Sequence, residues 1–187
     1  SDKLFISGNS YGGTNGTRFS VVRYGNVIGS RGSVIPLFLE KDTKDKLPIT
    51  DERMTRFMIS LEQGVNLIWH TFKDMVGGEI YVKKTPSMNI MDIAKATAPD
   101  SEFEIIGIRP GEKLHEQMIA TEDAPQTYEY DDYYKILPSI YSWNKDPGRI
   151  NNGILVPPDF IYSSENNKEW MSVDQLNSWI SKNKSKV

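Results

Sequence analysis

The sequence predicts an α/β fold, and three observations carry that prediction. Runs rich in β-branched and aromatic residues, "RFSVV", "GEIYVK" and "FEII", alternate with stretches whose apolar residues recur at helical spacing. The helical stretches open at residues that cap helix N-termini and close at glycine. With 38% hydrophobic and 25% charged residues over 187 positions, the chain has the apolar content to bury one sizeable core, which excludes wholesale disorder.

Residues 1–9, "SDKLFISGN", read as the last turns of a helix stopped by Gly8 and Asn9. A Gly/Asn-rich loop follows over 8–17. A strand then runs through "RFSVVRYGN", with Phe19, Val21 and Val22 set for burial. "SVIPLFLEKD" is a short apolar helix in which Pro36 fits only the first turn. "KLPITDERMTRFM" is extended and charged. The next helix starts at Ser60, where Ser60 and Gln63 form a capping box; Leu61, Val65, Ile68 and Phe72 lie along its apolar face, and Gly77 and Gly78 stop it. "GEIYVK" is a strand, and "NIMDIAKATA" is a helix capped by Asn89 with Ile90, Ile93 and Ala94 inward. "FEIIGIRPGEKLHE" gives a strand, a Pro-Gly turn and a polar exit. From Tyr128 to Pro158 periodicity is weak, so irregular structure with isolated strands such as "YYKILP" is expected. The last helix, "SVDQLNSWISK", carries a second capping box at Ser172 and Gln175 and buries Leu176, Trp179 and Ile180.

Charge and composition remove several functions. A net charge of −3, with 22 basic residues scattered among 25 acids, provides no phosphate-neutralising patch, so no nucleic-acid partner is expected. Only the tail "SKNKSKV" is locally basic, and it reads as a solvated end. The absence of cysteine removes disulfides and thiolate metal sites, and two histidines, His70 and His115, do not make a histidine-rich metal centre. No apolar run approaches the roughly 18 residues of a membrane span, so no membrane partner is expected and the cytoplasm is the expected compartment. The first residues lack an initiator methionine and enter mid-helix, which points to the tail of something longer.

Three segments could carry chemistry. In "RYGNVIGSRGS" (23–33), Gly25, Gly29 and Gly32 do not fit the G-x-G-x-x-G of a dinucleotide fingerprint, and no Gly-Lys-Ser/Thr follows as in a P-loop. What remains is a strand end that either simply turns or presents Asn26, nearby backbone N–H groups and Arg31 to a phosphate. "TDERMTRF" (50–57) and "RPGEKLHE" (109–116) each set an arginine beside carboxylates. They read either as surface ion pairs or as a fork in which Arg56 and Arg109 bind a diphosphate bidentately. His115 has no neighbour in sequence that would make a catalytic dyad, and reads as a structural or supporting residue.

Five segments in order, "TRFSVVRYGNVIGSRGSVIPLF", "LPITDERMTRFMISLEQGV", "GGEIYVKKTPSMNIMDIAKA", "IIGIRPGEKLHEQMI" and "PPDFIYSSENNKEW", resemble the C-terminal portion of the inverting UDP-N-acetylglucosamine 4,6-dehydratases of the extended short-chain dehydrogenase/reductase superfamily. The resemblance spans nearly the whole chain. It implies the end of a Rossmann-like NADP-binding domain over 1–32. Residues 33–187 would be mainly a smaller nucleotide-sugar lobe with a C-terminal extension, some strands of which return to the Rossmann sheet. By the same resemblance Tyr24 and Gly25 approach the nicotinamide and Asn26 bonds the diphosphate or the sugar. Val34, Thr50 and Met54 line the uridine side, Arg56 and Arg109 neutralise the diphosphate, and Glu112 bonds a nucleotide hydroxyl or orients an arginine. The implied substrate is UDP-N-acetylglucosamine or a related UDP-sugar, and the product a 4-keto-6-deoxy sugar for flagellin or for capsule and O-antigen. The full-length protein is expected to be a homo-oligomer. The resemblance places the catalytic tyrosine–lysine pair upstream of Ser1, so this chain alone is expected to be inactive. A UDP-sugar epimerase of the same superfamily and a non-catalytic nucleotide-sugar-binding module are the alternatives.

Overall fold

The computed structural model describes residues 2–11, 16–40, 46–139 and 146–183. The end of the basic tail, part of the Gly/Asn loop and the stretch after "VIPLFLE" lie outside the described residues. In chain order the elements are α1 (Asp2–Gly8), β1 (Val21–Arg23), β2 (Asn26–Val27), α2 (Val34–Glu40), β3 (Leu47–Ile49), β4 (Thr55–Ile59), α3 (Leu61–Asp74), β5 (Ile80–Lys83), β6 (Ser87–Asn89) and α4 (Ile90–Thr97). They continue with β7 (Phe103–Ile105), β8 (Gln117–Ile119), a 3-10 turn (Ala124–Gln126), β9 (Thr127–Glu129), β10 (Tyr133–Ile136), α5 (Pro147–Ile150), β11 (Ile154–Leu155), β12 (Tyr162–Ser163) and α6 (Val173–Lys182). The class is α/β, as expected. Two compact units share the chain, each built from three separated stretches: Ser1–Tyr24, Glu62–Lys84 and Gln117–Tyr162 in the first, and Gly25–Leu61, Thr85–Glu116 and Ser163–Val187 in the second.

The first unit is organised on a five-stranded sheet in the order β1-β5-β10-β9-β11. β1 and β5 are parallel, with Val21 opposite Ile80 and Arg23 opposite Val82; a parallel pair needs a long crossover, and α3 lies in that connection. Asn9 stops α1 as expected. Its side chain donates to the carbonyls of Ile6 and Phe19 and accepts the Phe19 N–H, all at 2.9 Å, tying the helix end to the entry of β1. The region from Tyr128 to Pro158 is more regular than its sequence suggests, because β9, β10 and β11 extend the sheet antiparallel. β10 is the strand expected at "YYKILP"; β9 and β11, of three and two residues, are too short to show alternation, so only pairing reveals them.

The apolar face assigned to α3 is corrected by the structure. Leu61, Val65, Ile68 and Phe72 are 66%, 41%, 46% and 70% exposed, and the residues that α3 buries are Gly64, Leu67 and Thr71. Helical spacing identified a stripe, but burial falls on the adjacent face. Phe19, Val21 and Val22 are partly rather than fully buried.

In the second unit β2 runs parallel to β4, with Asn26 opposite Met58, and β6 runs antiparallel to β4, with Thr55 opposite Asn89. β3 and β7 pair in parallel. Helices α2, α4 and α6 close over a core that includes Ile35, Phe38, Leu47, Ile49, Met58, Met88, Ile93 and Leu176. Local capping signals hold in this unit, but on α6 only Leu176 is buried, and Trp179 and Ile180, expected beside it, are partly so. Pro36 sits in the first turn of α2, Asn89 caps α4 by accepting the Met91 N–H at 2.7 Å, and Ser172 and Gln175 form the reciprocal capping box of α6. Among the described residues no helix is long and apolar enough to cross a membrane, and no group of three or more His, Asp or Glu is placed to hold a metal ion.

Candidate functional site

The glycine segment resolves into three separate requirements. A Cβ on Gly25 would lie 2.6 Å from both the Cβ and the carbonyl oxygen of Phe57, so this position admits no side chain where β2 meets β4. Gly29 and Gly32 have φ of 77° and 74° and are the third residues of two successive turns, closed by Ser30 N–H to Val27 O at 3.1 Å and Ser33 N–H to Ser30 O at 3.0 Å. Positive φ at that position is the type II requirement, which glycine meets without strain. The spacing is therefore turn geometry, and it delivers the chain from β2 into α2. Asn26 opens β2 with its side chain exposed. Tyr24 is 40% exposed and lies at the carboxyl end of β1, the end of a parallel strand where α/β sheets take ligands.

The "TDERMTRF" segment divides into an outer pair and an inner arginine. Arg53 is bidentate to Asp51, through Nε at 3.0 Å and Nη2 at 2.7 Å, and this guanidinium holds the Asp51 carboxyl down at about 2. Arg53 is well exposed, so the pair is a surface ion pair of small stabilising effect. Arg56 instead turns inward. Its Nη1 donates to the carbonyls of Thr55 at 2.7 Å and Leu114 at 3.1 Å, its Nη2 to Met54 Sδ at 2.9 Å, and its Nε faces Glu116 Oε1 at 3.8 Å. Met54 is in the core, and its carbonyl accepts the first N–H of α4, from Ile90.

The "RPGE" turn is a type II turn. Glu112 N–H donates to Arg109 O at 3.0 Å, Pro110 precedes Gly111, and Gly111 has φ of 86°. Glu112 Oε2 accepts the Arg109 backbone N–H at 3.1 Å, which fixes the turn and leaves the exposed Arg109 guanidinium without a hydrogen bond or ion pair among the described residues. Thr50 follows β3, whose last residue pairs with Ile105 and accepts the Ile106 N–H, so the strand pairing brings Thr50 beside the stretch leading to Arg109. Val34 begins α2 and packs partly on the core.

Sequence reasoning missed the groups that bind these pieces together. Phe57 N–H donates to Glu116 Oε2 at 2.9 Å, and burial pushes the Glu116 carboxyl up despite that bond and the nearby Arg56 charge. His115, without a partner in local sequence, sits between Thr55 Oγ1 at 2.8 Å and Glu165 Oε2 at 3.2 Å. Thr55 Oγ1 also lies 2.7 Å from Ser164 Oγ. No spacing rule could have found a contact between residues 55 and 164.

A family model described as "Polysaccharide biosynthesis protein" matches residues 1–138. The chain is 51% identical over 183 residues to the inverting UDP-N-acetylglucosamine 4,6-dehydratase of Campylobacter jejuni, covering 94% of this chain and 55% of that protein. It is 40% identical over 140 residues to the UDP-glucose 4-epimerase of Rickettsia canadensis, covering 72% and 41%. The X-ray structure of Pen from Bacillus thuringiensis superposes with a TM-score of 0.80 at 29% identity, over 97% of this chain and 54% of that one. The chain thus spans about half the length of the curated relatives it matches.

Proposed function

This chain belongs to the polysaccharide biosynthesis protein family, and from that premise we propose that it is the C-terminal, substrate-binding portion of an NADP-dependent, C5-inverting UDP-N-acetylglucosamine 4,6-dehydratase. The observation that carries the reading is the 51% identity sustained over 94% of the chain, against 40% over 72% for the epimerase relative. The product would be a UDP-4-keto-6-deoxy sugar for flagellin glycosylation, capsule or O-antigen. The full-length protein would act in the cytoplasm as a homo-oligomer.

Unit by unit, the roles follow the chemistry of the groups present. In the first, Tyr24 follows a parallel strand with its ring accessible, which suits an approach to the nicotinamide; Gly25, with which the second unit begins, has no side chain to present to the cofactor. When bound, NADP supplies the hydride acceptor and donor. The second unit would be the nucleotide-sugar lobe. Asn26 offers an exposed amide to the sugar or diphosphate, and Val34, Thr50 and Met54 shape the uridine side. Arg109 offers an uncommitted guanidinium to the diphosphate. Arg56, with three of its N–H groups engaged, offers what remains from a fixed position, and Glu112 holds the Arg109 turn. Charge-assisted, pre-set donors of this kind lower a barrier by orientation without touching a reacting bond.

Proton NMR of full-length protein incubated with UDP-N-acetylglucosamine tests the reading, a 4-keto-6-deoxy product inverted at C5 being expected. An epimerised hexose would favour the second reading, which rests on the Rickettsia relative. Binding without turnover by full-length protein would favour a non-catalytic module.

A further inference from the structure

Two hydroxyls beside Arg56 are sunk completely into the second unit. Thr55 is 5% exposed and Ser164 0%. Ser164 Oγ accepts the Glu116 N–H at 2.9 Å and lies 3.2 Å from the Thr55 carbonyl, while the Ser164 N–H donates to Glu116 O at 2.8 Å. A donor order that satisfies every group runs from Glu116 N–H to Ser164 Oγ, from Ser164 O–H to Thr55 Oγ1 and the Thr55 carbonyl, which share it, from Thr55 O–H to His115 Nδ1, and from His115 Nε2–H to the Glu165 carboxylate. The sequence hydroxyl–imidazole–carboxylate has the composition of a hydrolytic triad. Burial rules that out, because neither hydroxyl can meet a substrate and the Thr55 oxygen is committed on both sides.

What the network does is hold two segments in register. Thr55 N–H and Arg56 Nη1 both donate to Leu114 O at 3.1 Å, and Phe57 N–H donates to Glu116. Residues 55–57 are thereby tied to 114–116, the continuation of the turn that carries Arg109. A buried polar network raises specificity of position only when every member is satisfied, and here each is. We propose that the Thr55–Ser164 hydroxyl pair is a positioning device for Arg56, setting its guanidinium to meet the β-phosphate of the nucleotide sugar. This rests on the diphosphate reading of Arg56 given above.

The test is kinetic, in full-length protein, and uses UDP and UMP as competitive inhibitors that differ by the β-phosphate. Thr55→Val is expected to raise the KM for UDP-N-acetylglucosamine and the inhibition constant of UDP about tenfold, leaving kcat and the UMP constant within about twofold, and Thr55→Ser is expected to restore the UDP constant. Ser164→Ala, which spares the Thr55–His115 contact, makes the same test should Thr55→Val not fold. Equal weakening of UDP and UMP, or no change in either, would overturn the proposal. Arg56→Met separates the two levels. If it leaves the UDP-to-UMP ratio unchanged, the diphosphate reading fails; if it collapses the ratio and the hydroxyl variants do not, only the positioning device fails.

Discussion

Gly25 and Glu116 show how single residues set this site. At Gly25 a methyl group would press into Phe57 at 2.6 Å, against backbone that cannot swing aside, so β2 must separate from β4 and take Asn26 with it. Gly25→Ala is expected to lose about 1–3 kcal/mol by overpacking. Gly32→Ala meets open space and bears only the strain of φ +74°, about 1 kcal/mol. Urea midpoints of the two variants compare them directly, and equal losses would show that the close approach is not limiting. Glu116 makes a prediction in pH. Burial raises its folded-state pKa, so its contribution to stability is complete below the ordinary glutamate value of about 4.3 and is lost as pH rises through the raised value. Glu116→Gln keeps an oxygen for the Phe57 N–H and cannot ionise. Its stability curve should therefore lack that decline, and a curve parallel to wild type across the window would contradict the assignment.

At the scale of elements, the turn between α3 and β5 is organised by a buried pair, Glu79 and Arg149, 2.8 Å apart. Glu79 also accepts from Val76 N–H at 3.1 Å, Gly77 N–H at 2.8 Å and Ser20 Oγ at 2.9 Å, so it ties the end of α3, the approach to β1 and α5 to one carboxylate. Glu79→Ala removes the carboxylate from a buried guanidinium and is expected to lose about 3–5 kcal/mol. Arg149→Met should lose less, since three other donors still face Glu79; denaturant titration of both variants ranks them, and the reverse order would show that Arg149 dominates. Such a pair was not legible in "GEIYVK", because Glu79 and Arg149 lie seventy residues apart. The caps of α4 and α6 were legible because a cap is a contact over two or three residues. β10 was legible in "YYKILP", whereas β9 and β11 were not, because strands of two or three residues are revealed only by their pairing across the sheet. The site divides the same way: Gly29, Gly32 and the Arg109–Glu112 turn follow from local rules, whereas the enclosure of Arg56 by Leu114 and Glu116 depends on contacts about sixty residues apart.

For the molecule as a whole, the apolar surface matters as much as the core. Along α3 the stripe of Leu61, Val65, Ile68, Trp69 and Phe72 faces outward, Trp69 and Phe72 meeting edge to face, and on α1 Leu4 and Phe5 are 75% and 55% exposed. Among the described residues β1 forms one edge of its five-stranded sheet and pairs with β5 alone. Exposed apolar side chains and an unpaired strand edge both drive association, because burying them against a second molecule releases water and satisfies backbone donors. The 187-residue chain on its own is therefore expected to self-associate with rising concentration and to bind an apolar fluorescent dye. Trp69→Lys combined with Phe72→Glu should reduce both effects without altering the far-UV circular dichroism, because neither side chain contributes to the buried face of α3. Sedimentation velocity across a hundredfold range of concentration, about 1 to 100 μM, measures the first effect. A wild-type chain that remains a dye-silent monomer throughout would show that the α3 stripe is too dispersed to act as an adhesive surface.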